Sequence, residues 1–281
     1  MKRPVFEKLE IRLFYLCFCS VFQSVQQGCD ARRRKVKHPA KEYVGFMNIC
    51  VIPARGGSKR IPRKNIKTFC GKPMLTWSIE AARSSGCFQR IIVSTDDAEV
   101  AELAKRMGAE VPFMRPAELS DDHTGTTAVV AHAVEWVASQ GQSPEFVCCL
   151  YATAPFVTAS GLRRGLDTQT STGCAFSFAV TSYAFPIQRA VRITPDGRVQ
   201  MFDPECFNTR SQDLEEAYHD AGQFYWGKGE AWLERGSIFS ARSVPVLLPR
   251  HCVQDIDTPE DWERAEWLFR AMRADLGLPS H

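Results

Sequence analysis

The amino-acid sequence predicts an α/β fold in which helices cover both faces of a mostly parallel sheet, giving three layers. Short runs rich in β-branched residues alternate along the chain with longer amphipathic stretches, which is the pattern of successive βαβ units. Three of these runs are apolar throughout, as is typical of strands buried on both faces. With 281 residues, 44% of them hydrophobic, the chain can bury an ordinary core, which excludes disorder of the whole chain.

Four segments have the composition of buried strands. The first follows Met47 directly, and each of the next two comes after an amphipathic stretch long enough to cross one face of a sheet. The predicted strands are 49–52, 90–94, 146–150 and 174–180.

Five segments between and after these strands are predicted to be helices. The first begins with Pro73 and stops before Gly86, in keeping with the preference for Pro in the first turn and Gly just beyond the last. The third places five apolar residues on one face at helical spacing. The predicted helices are 73–84, 98–107, 126–138, 158–166 and 259–272.

Residues 181–223 break the alternation of strands and helices. They contain Pro186, Pro204, a Pro195-Asp196-Gly197 turn signal and a polar stretch at 208–223. This composition favours a hairpin-rich insertion, and long insertions in compact domains are usually functional or interfacial.

The first 46 residues differ from the rest of the chain. Their apolar run at 13–22 is shorter than the roughly 20 residues that a membrane-spanning helix needs, so we expect no stable membrane insertion. A secretion signal is disfavoured because Glu7 and Glu10 interrupt its positive flank and no small-residue cleavage site follows. We expect 1–46 to be a basic extension, disordered or the product of a misassigned start, and the folded domain to occupy 47–281. Truncation to Met47 should then keep full activity.

Charge and cysteine usage bound the partners and the compartment. Residues 1–46 hold ten Lys/Arg and four Asp/Glu, a net charge of +6, whereas the remainder holds 25 basic and 28 acidic residues, a net charge of −3. The globular part is therefore not a polyanion binder, and nucleic acid is excluded as a partner. The eleven cysteines form no C-x-x-C pair, which speaks against a zinc ribbon and favours a reducing, cytoplasmic environment.

The loop that follows the first predicted strand carries the clearest chemical signal. Gly56-Gly57-Ser58 lets backbone N–H groups approach an anion closely. Five cations lie within ten residues, and ligands of open α/β folds bind at this end of the strands. The spacing matches neither the Walker A loop nor the dinucleotide fingerprint. The combination suits a triphosphate, and its cations are Arg55, Lys59, Arg60, Arg63 and Lys64.

Residues 52–65 resemble the N-terminal signature of the cytidylyltransferases that activate nonulosonic acids as CMP-sugars. Similar segments follow in order at 92–96, 115–120 and 255–261. The resemblance runs from Met47 to the C-terminus and implies a Rossmann-like nucleotidyltransferase sheet. It also implies that the anomeric hydroxyl of a sugar acid attacks the α-phosphate of CTP and displaces pyrophosphate, chemistry that depends mainly on positioning and charge neutralisation.

The resemblance also assigns roles to single residues on the nucleotide side. Arg55 and Lys59 would contact the phosphates and offset charge on the leaving pyrophosphate, while Arg115 and Thr126 would help to hold the cytidine. The implied nucleotide-binding residues are Arg55, Gly56, Gly57, Ser58, Lys59, Lys64, Asn65, Arg115 and Thr126.

Asp255 and Asp257 are candidate metal ligands. On an extended segment their spacing puts both carboxylates on one side, and two carboxylates with a triphosphate suit octahedral Mg²⁺. The pattern alone is equally compatible with Asp257 as the N-cap of the last helix. The resemblance favours a metal and catalytic role for both, beside Arg55 and Lys59.

On the sugar side, the segments 151–156 and 210–226 resemble the branch of the family that acts on pseudaminic acid. Tyr151 stands where the sialic acid enzymes carry Gln, so the role of that Gln cannot be transferred. The implied sugar-binding residues are Arg210, for the sugar carboxylate, His219 and Gln223. For Arg210 a surface ion pair with Glu215 or Glu216 is an equal alternative.

The resemblance further implies that the insertion mediates homodimerisation and that the product supplies flagellin or surface-polysaccharide glycosylation. Two other functions stay open at this point: the same reaction on N-acetylneuraminate or legionaminate, and a nucleotide-binding relative without turnover.

Overall fold

A six-stranded sheet forms the centre of the computed structural model, which describes residues 47–275 apart from residue 123. The strand order is β10-β6-β9-β5-β1-β4, and β9 alone in this sheet runs antiparallel to its neighbours. The predicted mostly parallel sheet is thus confirmed. Its strands are β1 (Asn48–Pro53), β4 (Arg90–Ser94), β5 (Phe146–Leu150), β6 (Phe176–Ser182), β9 (Tyr218–Lys228) and β10 (Ser243–Leu247). The proposed extension 1–46 lies outside the described residues.

Helices cover both faces of this sheet, which confirms the three layers. On one face α1, α2 and α4 pack through residues such as Ile79, Ala104 and Leu162. On the other face α3 and α5 pack through Val134 and Trp232. The helices are α1 (Met74–Ser85), α2 (Ala98–Arg106), α3 (Thr126–Ser139), α4 (Ala159–Thr172), α5 (Gly229–Leu233) and α6 (Pro259–Asp275). Within the described residues, no helix is both long and apolar enough to cross a membrane.

Strands β9 and β10 and helix α5 are elements that the sequence pattern did not predict. The first half of β9 is polar and less buried than the second; it pairs with β6, whereas β5 pairs only with the second half of the strand. Strand β10 contains Pro245, which would interrupt a central strand but is tolerated because β10 is the last strand of the sheet.

The predicted insertion ends earlier than the sequence suggested. A hairpin of β7 (Val191–Ile193) and β8 (Val199–Met201) is present, as the turn signals indicated. Residues 218–223, however, belong to β9 of the central sheet, and 218–220 pair with β6. The segment outside the sheet is therefore 183–217.

A third apolar cluster fixes the C-terminal helix beneath the loop that follows β1. Phe69 belongs to a short hairpin of β2 (Thr68–Phe69) and β3 (Lys72–Pro73). Its ring packs edge-on against two rings of the helix, with centroid distances of 5.4 Å to Trp262 and 5.3 Å to Phe269. Ile61 from the loop joins the same cluster. Helix α6 and the loop are thereby held against each other.

Gly165 in α4 lets that helix approach β9. A Cβ at this position would lie 2.5 Å from Cδ1 and 2.7 Å from Nε1 of Trp226. Trp226 is fully buried and cannot yield, because its indole N–H donates to the carbonyl of Leu162 at 3.1 Å.

We expect Gly165→Ala to lower the free energy of unfolding by about 1–3 kcal/mol, the usual cost of overpacking a core, despite the better helix propensity of Ala. Thermal unfolding measures the change. Gly236→Ala is the matched control, because a Cβ there meets no atom within 4 Å. Equal midpoints for the two variants would contradict this account of the packing.

Candidate active site

A cavity of about 610 Å³ opens where β1, β4 and β5 end. Ligands of open α/β sheets bind at this carboxyl edge. Most of the lining comes from the loop after β1, the segment 119–126 and the residues after β5. The lining residues are Pro53, Arg55, Ser58, Lys59, Arg60, Lys64, Asn65, Arg115, Leu119, Asp121, Asp122, Thr124, Thr126, Val129, Tyr151, Ala152, Thr153 and Asp257.

Hydrogen bonds between side chains and backbone hold the loop after β1 in place. The side-chain amide of Asn65 donates to the carbonyl of Arg55 at 2.8 Å, which closes the loop across its base. The N–H of Gly56 donates to Asp96 at 2.9 Å, and a Cβ on Gly56 would lie 2.6 Å from a carboxylate oxygen of Asp97. Glycine is therefore required at position 56 because the loop passes directly over the start of α2.

Four of the five predicted loop cations line the cavity, and Arg63 does not. Arg63 has a left-handed backbone, with φ of 55°, and turns towards α2. There it pairs with Glu99 at 2.6 Å and Asp97 at 3.3 Å. The sequence could not separate Arg63 from the other cations, because the direction of its side chain depends on its own left-handed backbone angle.

Asp122 holds two of the cavity cations. One oxygen lies 2.6 Å from Nη1 of Arg55, and the other pairs with Nζ of Lys59. Arg55 also donates to the carbonyl of Asp121 at 3.1 Å. Lys59 and then Arg55 lower the pKa of Asp122 to about 2. One carboxylate therefore neutralises two of the cavity cations.

Asp257 holds the other two cations. Its oxygens lie 2.9 Å from Nη2 of Arg60 and 3.3 Å from Nζ of Lys64, and Lys64 also donates to the carbonyl of Ile256 at 2.6 Å. The possibility that Asp257 caps the last helix is wrong. Thr258 is the cap, since its hydroxyl accepts from the N–H of Asp261 at 3.2 Å while Asp261 accepts from the N–H of Thr258 at 2.8 Å.

Asp255 lies beside Gly222 of β9. Its oxygen accepts from the N–H of Ile256 at 2.9 Å and is 3.8 Å from where a Cβ of Gly222 would be. Desolvation and the charge of Asp257 raise the pKa of Asp255. Asp257 lines the cavity whereas Asp255 does not, but the two carboxylates are close enough to repel each other. Such a pair is a donor set that fits a divalent ion with further oxygen ligands.

That donor set is incomplete without a substrate. Among the residues that the structure describes, no group of three or more His, Cys, Asp or Glu side chains is arranged to hold a metal. The two aspartates therefore suit Mg²⁺, which keeps waters and substrate phosphates as ligands, better than an ion enclosed by protein alone.

Arg115 and Thr126 form the opposite wall. Arg115 is buried, and its Nε donates to Oγ of Ser94 at 3.1 Å while Nη2 donates to the Ser94 carbonyl. Burial lowers the pKa of Arg115 to about 10. Thr126 begins α3, with its hydroxyl 3.5 Å from that of Tyr151.

The three predicted sugar-binding residues lie outside the lining of this cavity. Arg210 is exposed and forms a two-pronged ion pair with Asp213 at 2.7 and 3.1 Å, rather than with Glu215 or Glu216. His219 lies on β9 with its ring centroid 4.8 Å from that of Tyr183. Gln223 is buried and donates to the carbonyl of Cys252 at 2.6 Å.

Sequence reasoning missed Asp122, one of the two carboxylates that pair with the cavity cations. The adjacent Asp121 and Asp122 fall in a polar run between two elements, and such runs are usually solvated turns. Asp220 and Tyr225 were also missed, because they lie on β9, a strand that the sequence pattern did not predict. An acidic pair that follows a segment predicted to bind nucleotide is the one signal that could have drawn attention to Asp122.

We expect Asp122→Asn to tighten the binding of inorganic pyrophosphate by about two- to tenfold, because Arg55 and Lys59 no longer have an internal anion to release. Calorimetric titration measures the dissociation constant. Asp213→Asn removes a similarly exposed arginine-paired carboxylate outside the cavity and should leave binding unchanged. Weaker binding by Asp122→Asn would show that Asp122 supports the ligand instead of competing with it.

Comparison with known proteins agrees with this geometry. A sequence model of the family described as cytidylyltransferase matches residues 49–261. Pseudaminic acid cytidylyltransferase of Campylobacter jejuni subsp. jejuni serotype O:2 is 48% identical over 223 residues, which cover 79% of this chain and 96% of that protein. CMP-N,N'-diacetyllegionaminic acid synthase of Legionella pneumophila is 32% identical and is covered to 95%, against 79% of this chain.

A solved structure shares the fold. It is that of CMP:2-keto-3-deoxy-manno-octonic acid synthetase complexed with CTP, with a TM-score of 0.58, 16% identity, and coverage of 80% of this chain and 99% of that one. The Rossmann-like nucleotidyltransferase sheet expected from the sequence is thereby confirmed. Because the family model spans most of the chain and the Campylobacter relative is nearly half identical over almost its whole length, this chain belongs to the cytidylyltransferase family.

Proposed function

We propose that this chain transfers CMP from CTP to the anomeric hydroxyl of pseudaminic acid, releasing pyrophosphate and forming CMP-pseudaminate. The observation that carries the proposal is the 48% identity to the pseudaminic acid enzyme over nearly all of that protein. The cation-lined cavity at the carboxyl edge of the sheet supports it, since its volume of about 610 Å³ is that of an ordinary ligand site.

The loop after β1 supplies the charge that the reaction needs. Arg55 and Lys59 neutralise the triphosphate and then the leaving pyrophosphate, and catalysis follows from charges fixed before the substrate arrives. Gly56, Gly57 and Ser58 let the backbone approach the phosphates, while Lys64 and Asn65 close the same pocket. The four cations of the cavity, Arg55, Lys59, Arg60 and Lys64, each pair with Asp122 or Asp257 in the structure. The phosphates would therefore replace these two carboxylates as counter-ions.

Asp255 and Asp257 would hold Mg²⁺ together with phosphate oxygens and water. A bound Mg²⁺ would polarise the phosphate and lower the pKa of the attacking hydroxyl. For Asp257 to bind Mg²⁺, its ion pairs with Arg60 and Lys64 must break, which frees both cations to bind the triphosphate. Arg115 and Thr126, which line the same cavity, are proposed to contact the cytidine.

Arg210, His219 and Gln223 are proposed to bind the sugar acid, from positions on and before β9. Gly222, next to Gln223, lies beside Asp255, which brings this strand to the edge of the proposed metal site. The exposed position of Arg210 fits a site that is completed only when a second subunit covers it.

The exposed segment 183–217 supports a homodimer. It carries large apolar side chains in water, with Phe185 82%, Ile193 78% and Phe207 70% exposed. Monomeric soluble proteins rarely expose contiguous apolar surface of this kind. A second copy of the chain is proposed to cover it.

A second candidate differs only in the sugar. The legionaminic acid enzyme of Legionella pneumophila is 32% identical over most of both chains, so the same reaction on a legionaminic acid is the alternative.

The direct test is release of pyrophosphate from CTP and Mg²⁺ with pseudaminic, legionaminic and N-acetylneuraminic acids offered side by side. We expect release with pseudaminic acid and none after removal of Mg²⁺ with EDTA. Arg55→Ala should lower kcat by at least about a hundredfold, as loss of a charge-stabilising donor does elsewhere. Release with a different sugar would keep the chemistry and transfer the proposal to that sugar, whereas CTP binding without release from any of the three would overturn it.

The homodimer is tested by light scattering on the intact chain. We expect twice the chain mass for the unmodified protein and a single chain mass for Ile193→Glu, because a buried charge without a partner opposes association. Gln200→Glu, on the neighbouring strand of the same hairpin, adds the same charge at a polar position and should stay dimeric. A single chain mass for the unmodified protein would contradict the dimer.

A further inference from the structure

A partly buried network of hydroxyl and carboxylate groups borders the cavity and has no role in the mechanism so far. Tyr225 on β9 is 3% exposed, and its hydroxyl donates to Oδ2 of Asp220. The other oxygen of Asp220 accepts from the N–H of Gly222 at 3.0 Å. The carboxylate of Asp220 is therefore held by two donors and has no cation among its described hydrogen-bonding partners.

Tyr151 connects this network to the cavity. It follows β5 directly, lines the cavity, and has its ring centroid 5.3 Å from that of Tyr225. Its N–H donates to the carbonyl of Gln223 at 2.9 Å, so β9 fixes its backbone as well. Of Tyr151, Tyr225 and Asp220, Tyr151 is the one that lines the cavity, and its hydroxyl lies 3.5 Å from that of Thr126.

Both phenols act as donors at neutral pH. Burial, followed by the neighbouring phenol and Asp220, raises the pKa of Tyr225, and burial also raises the pKa of Tyr151. Because the phenol keeps its proton and donates it to Oδ2 of Asp220, the Tyr225 hydroxyl has one arrangement available, in which it points at Asp220. The Tyr225 oxygen then faces away from Asp220 as an acceptor, which limits how the neighbouring Tyr151 can turn.

We propose that Asp220 and Tyr225 are positioning residues that hold the hydroxyl of Tyr151 as a hydrogen-bond donor to the acceptor sugar acid, and that the network contributes to the choice of sugar. The inference rests on the proposed function, because it assumes that a sugar acid enters this cavity. A polar oxygen of the acceptor, from its carboxylate or an acylamino group, is the chemical partner that a fixed phenol donor recognises.

The placement of the network favours the sugar over the nucleotide. The same short stretch of β9 that holds Tyr151 also carries Gly222, which borders Asp255. The phosphate-binding cations Arg55, Lys59, Arg60 and Lys64 all come from the loop after β1 and pair with Asp122 and Asp257. The network is separate from those pairs, so its removal should leave the contacts to the triphosphate in place.

The test is a double-mutant cycle of Tyr151→Phe and Tyr225→Phe, with Asp220→Asn measured alongside. We expect each single variant to raise KM for the sugar acid about three- to tenfold, the worth of one hydrogen bond, while the dissociation constant for CTP stays within about twofold. The double variant should be no worse than Tyr151→Phe, because Tyr225 acts through Tyr151. Selectivity between pseudaminic and N-acetylneuraminic acids should fall in all three single variants.

Tyr218→Phe is the matched control. It removes a hydroxyl that donates to Glu216 at 2.7 Å, but on the exposed start of β9, and should change neither constant. Additive effects in the cycle, or weaker CTP binding with an unchanged KM for the sugar, would overturn the inference. Should Tyr225→Phe unfold, as thermal melting would show, Asp220→Asn with Tyr151→Phe completes the cycle. Failure of the unmodified protein to use any sugar acid would instead count against the proposed function.

Discussion

The neutralisation of one cationic loop by two carboxylates is the constraint on which the site depends. Four cations from the loop after β1 line one cavity, and such a group repels itself unless negative charge lies between its members. Asp122 takes Arg55 and Lys59, and Asp257 takes Arg60 and Lys64. The two carboxylates come from different segments, one before α3 and the other before α6, so electrostatic attraction draws three parts of the chain together around the cavity.

The rest of the fold keeps this loop from spreading. Strand β1 is buried on both faces and delivers the chain to the edge of the sheet at a fixed point. Asn65 ties the far end of the loop back to Arg55, and the N–H of Leu75 in α1 donates to the Asn65 carbonyl at 2.9 Å. The aromatic cluster around Phe69 then seats α6 next to the loop, which puts Asp257 within reach of Lys64.

The parts of the molecule with strong local signals could be predicted from the sequence. The apolar runs of β1, β4 and β5 and the helices α1, α2 and α3 were found within one residue at each end, because burial and helix ends leave a direct mark on composition. Helix α4 runs six residues beyond its predicted end, because its polar last turns carry no apolar pattern. The loop cations and Asp257 were found because they lie close together in the sequence or in a spaced motif. Asp122 could not be found in this way, since its partners are more than sixty residues away and only the folded sheet brings them together. The first half of β9 was missed for a related reason. Its residues are polar and show no apolar strand pattern, and only their pairing with β6 in the folded sheet identifies them as a strand.

The ends of the segment 183–217 are set side by side by the sheet itself. Ser182 at the end of β6 pairs with Tyr218 at the start of β9, and the N–H of Tyr183 donates to the carbonyl of Ala217 at 3.0 Å. The chain therefore leaves the sheet and returns to it at one place, as in a hairpin with a very long loop. The entropy lost on closing such a loop grows only with the logarithm of its length, by about 0.6 kcal/mol for each doubling. This surface can consequently gain, lose or exchange residues at little cost to folding, while the cationic loop after β1 stays as it is.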